Sequence, residues 1–132
     1  MKKPPTLPAL KKKAWKLYSQ WIRQSRSSWP GFLECYTCGK TFHWKGLQAG
    51  HFLAKNLGSN LYFHPDNIRV QCIWCNKHLH GNQAEFMKRL LKEIGRTRVT
   101  KLFELKKETH QFTRKELLGI IETTKVKLEK LK

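Results

Sequence analysis

Residues 35–82 read CYTCGKTFHWKGLQAGHFLAKNLGSNLYFHPDNIRVQCIWCNKHLHGN, and this stretch holds all 4 cysteines of the chain and all but one of its 6 histidines. Two Cys-x-x-Cys pairs, Cys35/Cys38 and Cys72/Cys75, bracket a segment containing Gly50-His51 and Asp66-Asn67, and Asn76 follows the last cysteine directly. Thiolates at this spacing reach one tetrahedral ion, and the second pair completes a four-sulfur set. Zinc is the natural occupant, with an iron–sulfur cluster the lesser alternative. Gly39, directly after the first pair, suits the tight backbone turn of a zinc knuckle. Four sulfur ligands leave no open coordination position, so this metal is expected to be structural.

The totals set the surroundings of that core. A chain of 132 residues is one domain's worth and buries only a modest apolar core, which a structural metal would reinforce. Lys plus Arg number 27 against 9 Asp plus Glu, a formal charge of +18 that calls for a polyanionic partner. Nucleic acid fits best, ahead of ribosome association and adhesion to an anionic membrane surface. No apolar stretch is long enough to span a bilayer, and MKKPPTLPALKKK has no apolar core after its charges, so neither a membrane span nor a signal peptide is expected. The expected location is cytoplasmic, where paired Cys-x-x-Cys motifs serve metals far more often than disulfides.

Outward from the core, an extended leader is expected over residues 1–8. A helix follows, with Leu10, Ala14, Trp15, Leu17, Tyr18, Trp21 and Ile22 on its apolar face, ending in Ser25 to Pro30. The arm 1–31 carries Lys2, Lys3, Lys11, Lys12, Lys13, Lys16, Arg23 and Arg26 without one acid, a bias that points to phosphate contact. Thr41 to Trp44 and Leu47 to Phe52 read as a hairpin about Lys45-Gly46, Leu53 to Asp66 as an irregular connection, and Ile68 to Val70 as a brief strand.

A helix after Cys75, bent at Gly81, resumes from Gln83 to Ile94 with Gly95 as its stop signal. Val99, Leu102, Phe103 and Leu105 predict another short helix. The last helix opens on Thr113-Arg114-Lys115-Glu116, a capping box, and carries Leu117, Ile121, Thr124, Leu128 and Leu131 at coiled-coil spacing, which suits a homodimer seam or packing on the chain's own core. The fold class is α+β and mostly helical: an N-terminal arm and helix (1–31), a zinc-clamped core (32–95) and C-terminal helices (96–132).

If the second cysteine pair sits at a helix start and the hairpin is pinned by the first, His51 and Asn76 become neighbours in a ββα-metal arrangement. Hydrolysing a phosphodiester needs a base to activate water and a divalent cation to neutralise developing charge. His51 suits the base, since neutral imidazole is available near neutral pH. Asn76 offers an oxygen suited to magnesium or manganese. His80, one helical turn on, faces the same way and can complete the cation site or touch phosphate. Asn67 is expected to bridge backbone groups in the loop that presents His51.

These residues also carry a resemblance. Gly50-His51, Asp66-Asn67 and Cys72-x-x-Cys75-Asn76 resemble the HNH endonuclease signature in its zinc-clamped, treble-clef subtype. AGHF at 49–52, QCIWCN at 71–76, Gly81-Asn82 and KRLLKEIG at 88–95 are similar to the NinG/Rap family of lambdoid phage recombination proteins. The likeness covers about half the chain, from Cys35 to near Val99. It implies a metal-dependent DNA endonuclease acting on branched recombination intermediates such as Holliday junctions and D-loops. His51 is then the general base, Asn67 the middle residue of the signature and Asn76 a ligand of the catalytic cation. Where many HNH enzymes have an acid before the first histidine, this chain has Gly50. That leaves His80, Asp66 and Glu85, in that order, as candidates for the second ligand. The alternative function is a non-catalytic zinc module that binds nucleic acid through the same basic arm.

Overall fold

The computed structural model describes residues 3–54 and 59–132, so the expectations for Lys2 and for the centre of the 53–66 connection lie outside the described residues. Helix α1 spans Leu7–Arg26, starting within the expected extended leader. Thr6 explains the early start: its hydroxyl accepts from the Ala9 N–H at 3.2 Å, and Pro8 falls in the first turn, where a missing N–H costs nothing.

Two antiparallel ladders follow. β1 (Phe32–Glu34) pairs with β2 (Thr41–His43), placing Phe32 opposite His43. β3 (Leu47–His51) pairs with β4 (Ile68–Cys72), placing Leu47 opposite Cys72 and His51 opposite Ile68. The expected hairpin about Lys45-Gly46 is therefore corrected. Its two arms are strands, but Trp44–Gly46 form a 3-10 turn capped by the His43 ring, and each arm pairs elsewhere. The reason lies in the cysteines. Folding β2 back on β1 closes the Cys35–Cys38 knuckle, and laying β4 along β3 brings Cys72 to it.

Beyond β4 the chain makes a π turn over Trp74–His78, bends at Gly81 and enters α2 (Gln83–Leu105). Gly95, the expected stop, leaves helical geometry at φ 85° and ψ 166°, and the expected further helix follows it within the same span. Helix α3 spans Arg114–Glu129 behind the expected capping box at Thr113 and Glu116.

The core forms three connected clusters, two of them joined by α1. Ile22 packs with Leu47, Ala49, Val70 and the cysteines, while Leu10 and Ala14 pack on Leu117 and Ile121 of α3. Phe52, Leu53 and Leu61 meet Phe86, Leu90, Val99 and Leu102 of α2 in the third cluster. Of the two readings of the α3 stripe, core packing holds for its first half: Leu117, Ile121 and Thr124 are buried within the chain, while Leu128 is half-buried and Leu131 exposed. The apolar face of α1 lies in the same chain, so covering the stripe with it forgoes the translational and rotational entropy that a second copy would lose. Among the described residues no helix is long and apolar enough to cross a membrane.

Candidate functional site

The Sγ atoms of Cys35, Cys38, Cys72 and Cys75 lie within 4.8 Å of one another. Zinc–sulfur bonds of about 2.3 Å in a tetrahedron set the sulfurs about 3.8 Å apart. Cys38 and Cys72 stand at that separation, 3.8 Å. Burial opposes the Cys35 thiolate, yet hydrogen bonds from the Cys72, Cys38 and Thr37 backbone and the Thr37 hydroxyl hold its thiol down at about 6. Burial above all pushes Cys72 up to about 12. Ionising all four together needs a cation among them. The donor set can hold a metal such as zinc.

Beside the β3–β4 ladder, α1 and the π turn frame a cleft of about 600 Å³ whose lining includes Trp15, Arg23, His51, Asn76, Lys77 and His80. His51 Nε2 is 2.9 Å from the Tyr62 carbonyl oxygen. A carbonyl only accepts, so the neutral ring carries its proton on Nε2 and its lone pair on Nδ1. The Trp15 indole stacks on the same imidazole, with centroids 4.7 Å apart. Asn76 donates through Nδ2 to Gln48 Oε1 at 2.7 Å, which turns its Oδ1 toward Gly50. His80, at φ 51°, follows the π turn on the same wall.

The expected set is thus only partly assembled. Asn67 is fully buried outside the cleft; its oxygen accepts from Leu53 N at 2.8 Å, and its Nδ2 donates to the Leu53 and Leu61 carbonyls at 3.0 and 3.1 Å. It staples the chain just after His51, which is the backbone-bridging role expected of it, and it does not line the cleft. Asp66 receives Arg98 Nε at 3.0 Å, and that hydrogen bond holds its carboxyl below the usual range. Glu85 pairs with Arg89 at 2.9 Å. Neither acid reaches the cleft, whose described lining contains no carboxylate, so of the three second-ligand candidates only His80 lies there.

Among the basic residues, Lys3, Lys12, Lys13 and Lys16 are exposed, and Lys11 sits over the Tyr62 ring at 4.2 Å. Arg23 Nη1 donates to the Trp44 carbonyl at 3.2 Å and lies near that of Leu47 at 3.4 Å, and Arg26 Nη1 donates to the Ile68 carbonyl at 3.3 Å. These two arginines clamp α1 to the strands, correcting their reading as phosphate contacts alone. Sequence reasoning missed Trp15 and Gln48 as cleft residues. A helical stripe gives no sign that one of its aromatics will meet a histidine far along the chain. Gln48, an amide on a short strand, carried a weak signal.

The family described as bacteriophage lambda NinG protein matches residues 4–132. The chain belongs to the NinG family. It is 30% identical to the NinG protein of Escherichia phage lambda over 93% of its own length and 63% of that protein's, with the same figures for NinG of Salmonella phage P22. NinG of Enterobacteria phage H19B is 29% identical over 93% of this chain and 64% of its own length. The chain therefore spans a little under two thirds of the length of these NinG relatives. No solved structure matches it.

Proposed function

We propose that this member of the NinG family is a metal-dependent, structure-selective DNA endonuclease of the HNH, ββα-metal type, acting on branched recombination intermediates in the host cytoplasm. The observation that carries this reading is the meeting of His51, Asn76 and His80 at one cleft beside a four-cysteine cluster, in a chain of charge +18. His51 Nδ1 takes a proton from water as the water oxygen bonds to phosphorus; the bond from phosphorus to the leaving oxygen breaks, and that oxygen takes up a proton from a solvent water. Tyr62, through its carbonyl, and Trp15 hold the imidazole in the orientation that this transfer requires. Lys77 and Arg23 on the cleft wall attract the phosphate. A magnesium or manganese ion, held by Asn76 and His80, would supply neutralisation of the charge that develops on the phosphate oxygens. Paired cuts in a four-way junction would suit a homodimer, which would have to associate through a surface other than the buried stripe of α3.

The test is incubation of zinc-loaded protein with labelled four-way junction and linear duplex, with and without magnesium or manganese. Cleavage of the junction that requires the cation, and is lost in His51→Ala with junction affinity retained, is expected. Equal cutting by His51→Ala would overturn the site assignment. A second reading, a non-catalytic zinc module binding nucleic acid, is favoured by the lack of a carboxylate among the described lining residues, and it predicts binding without cuts under every cation.

A further inference from the structure

Gln71 sits on β4 between Val70 and Cys72, and its side chain is fully buried. Its Nε2 donates to Thr37 Oγ1 at 3.0 Å and to the Gly81 carbonyl at 2.8 Å. These bonds fix the orientation of the carboxamide, since the flipped amide would set oxygen against the carbonyl of Gly81. Oε1 is thereby turned away from both partners, and it is the buried side-chain polar atom that no donor among the described residues reaches. A buried acceptor left without a donor or cation is costly.

That oxygen points to the place where Gly50 and Asn76 meet. A Cβ on Gly50 would lie 2.1 Å from Gln71 Oε1 and 3.0 Å from Asn76 Oδ1. Asn76 donates its NH2 to Gln48, so its Oδ1, like Gln71 Oε1, borders the space beside Gly50. The same geometry accounts for the glycine: any side chain at residue 50, the acid of many HNH enzymes included, would collide with Gln71. The oxygen absent from residue 50 is offered by the neighbouring strand.

We propose that Gln71 Oε1, together with Asn76 Oδ1, is an oxygen ligand of the divalent cation used at this cleft; the proposal rests on the metal-dependent nuclease reading above. Hard divalent cations take amide oxygens readily, but Gln71, Asn76 and His80 bring no negative charge, and near Arg23 and Lys77 they hold a cation weakly without an anion. The cation is accordingly bound together with phosphate, which supplies the negative charge that the protein's own ligands lack.

Manganese, paramagnetic and similar to magnesium in its ligand preference, is the probe. It is titrated into zinc-loaded, 15N-labelled protein, alone and with inorganic phosphate, and the side-chain amide resonances are followed. The Gln71 and Asn76 NH2 signals are expected to broaden first, at lower manganese when phosphate is present, while that of exposed Gln111 stays sharp. Gln71→Met should weaken manganese binding roughly tenfold, with zinc content unchanged. A Gln71 amide that stays sharp, or a variant that binds manganese like the parent, would overturn the proposal. Should the variant fold poorly, the side-chain carbonyl carbons of 13C-labelled parent decide: Gln71 Cδ is expected to broaden as strongly as Asn76 Cγ, and a Gln71 Cδ that broadens much less overturns the proposal. The two readings separate in the cleavage assay. A parent that cuts while Gln71→Met keeps the same manganese dependence removes the ligand and leaves the nuclease. A parent that never cuts removes the nuclease, whatever manganese does.

Discussion

Trp15 of α1 stacks on His51 at the end of β3, with 26° between the ring planes and 4.7 Å between centroids. The helix that closes the core thus also supplies one wall of the cleft and limits how the imidazole turns. Such aromatic pairs are worth about 0.5–1.5 kcal/mol beyond their burial. Trp15→Ala is expected to lower junction cleavage about tenfold through loss of His51 orientation. Trp15→Phe should retain most of the activity. Rates measured at saturating junction check this, and an unchanged rate in Trp15→Ala would detach α1 from the chemistry.

Metal at the cysteine cluster is expected to hold the knuckle and the β3–β4 ladder together. Cys72→Ser should release the metal and abolish the cooperative thermal transition, because binding free energy at such sites is folding free energy. Natively purified protein free of both zinc and iron by elemental analysis would count against this.

The basic arm divides into two kinds of residue. Lys12, Lys13 and Lys16 are exposed, and replacing all three with Gln is expected to flatten the slope of log affinity against log salt by about 0.9 for each phosphate no longer neutralised. Arg26 is exposed as well but also donates to the Ile68 carbonyl, so Arg26→Gln should cost roughly 1 kcal/mol of stability, which the lysine replacements should not. Truncating residues 1–13 would test this poorly, since Leu10 is part of the core.

Tyr36, between the cysteines of the first pair, donates its hydroxyl to Glu93 at 2.6 Å. Burial, reinforced by Glu93, pushes its phenol up to about 12, against the partial opposition of Arg69. The folded state therefore favours the protonated phenol. Its contribution is fully present below the ordinary tyrosine value of about 10 and is lost as pH rises through the folded value. Tyr36→Phe is expected to be less stable than the parent at pH 8, with the difference shrinking as pH climbs above 10. The tyrosinate absorbance of parent minus variant should titrate near 12; a difference titrating near 10 would refute the raised value.

The stripe on α3 gives the last prediction. Ile121→Lys buries a charge against Leu10 and Ala14, so a destabilisation of roughly 3 kcal/mol or more is expected, seen as a large fall in thermal midpoint. A variant of parental stability but altered sedimentation would restore the stripe to a seam between copies.

The sequence by itself determined the elements whose signals are local. Thr113 and Glu116 cap α3 because a capping box is closed by residues three apart, and the two Cys-x-x-Cys pairs announce a four-sulfur set because each pair is held by its own spacing. The kink at Gly95 is local in the same way, a positive φ that glycine adopts without a Cβ penalty. Tertiary structure decided what those elements meet. The pairing of β2 with β1 and of β3 with β4 depends on competition among strands of similar local propensity. The apolar stripe of α3 reads alike for a dimer seam and for a core, and only the presence of Leu10 and Ala14 in α1 assigns it to the core. At the cleft, His51 and Asn76 were legible as motif residues. The oxygen of Gln71 aimed at Gly50, and the indole of Trp15 on the imidazole, arise from chain segments brought together only by folding, and no pattern along the sequence encodes that meeting.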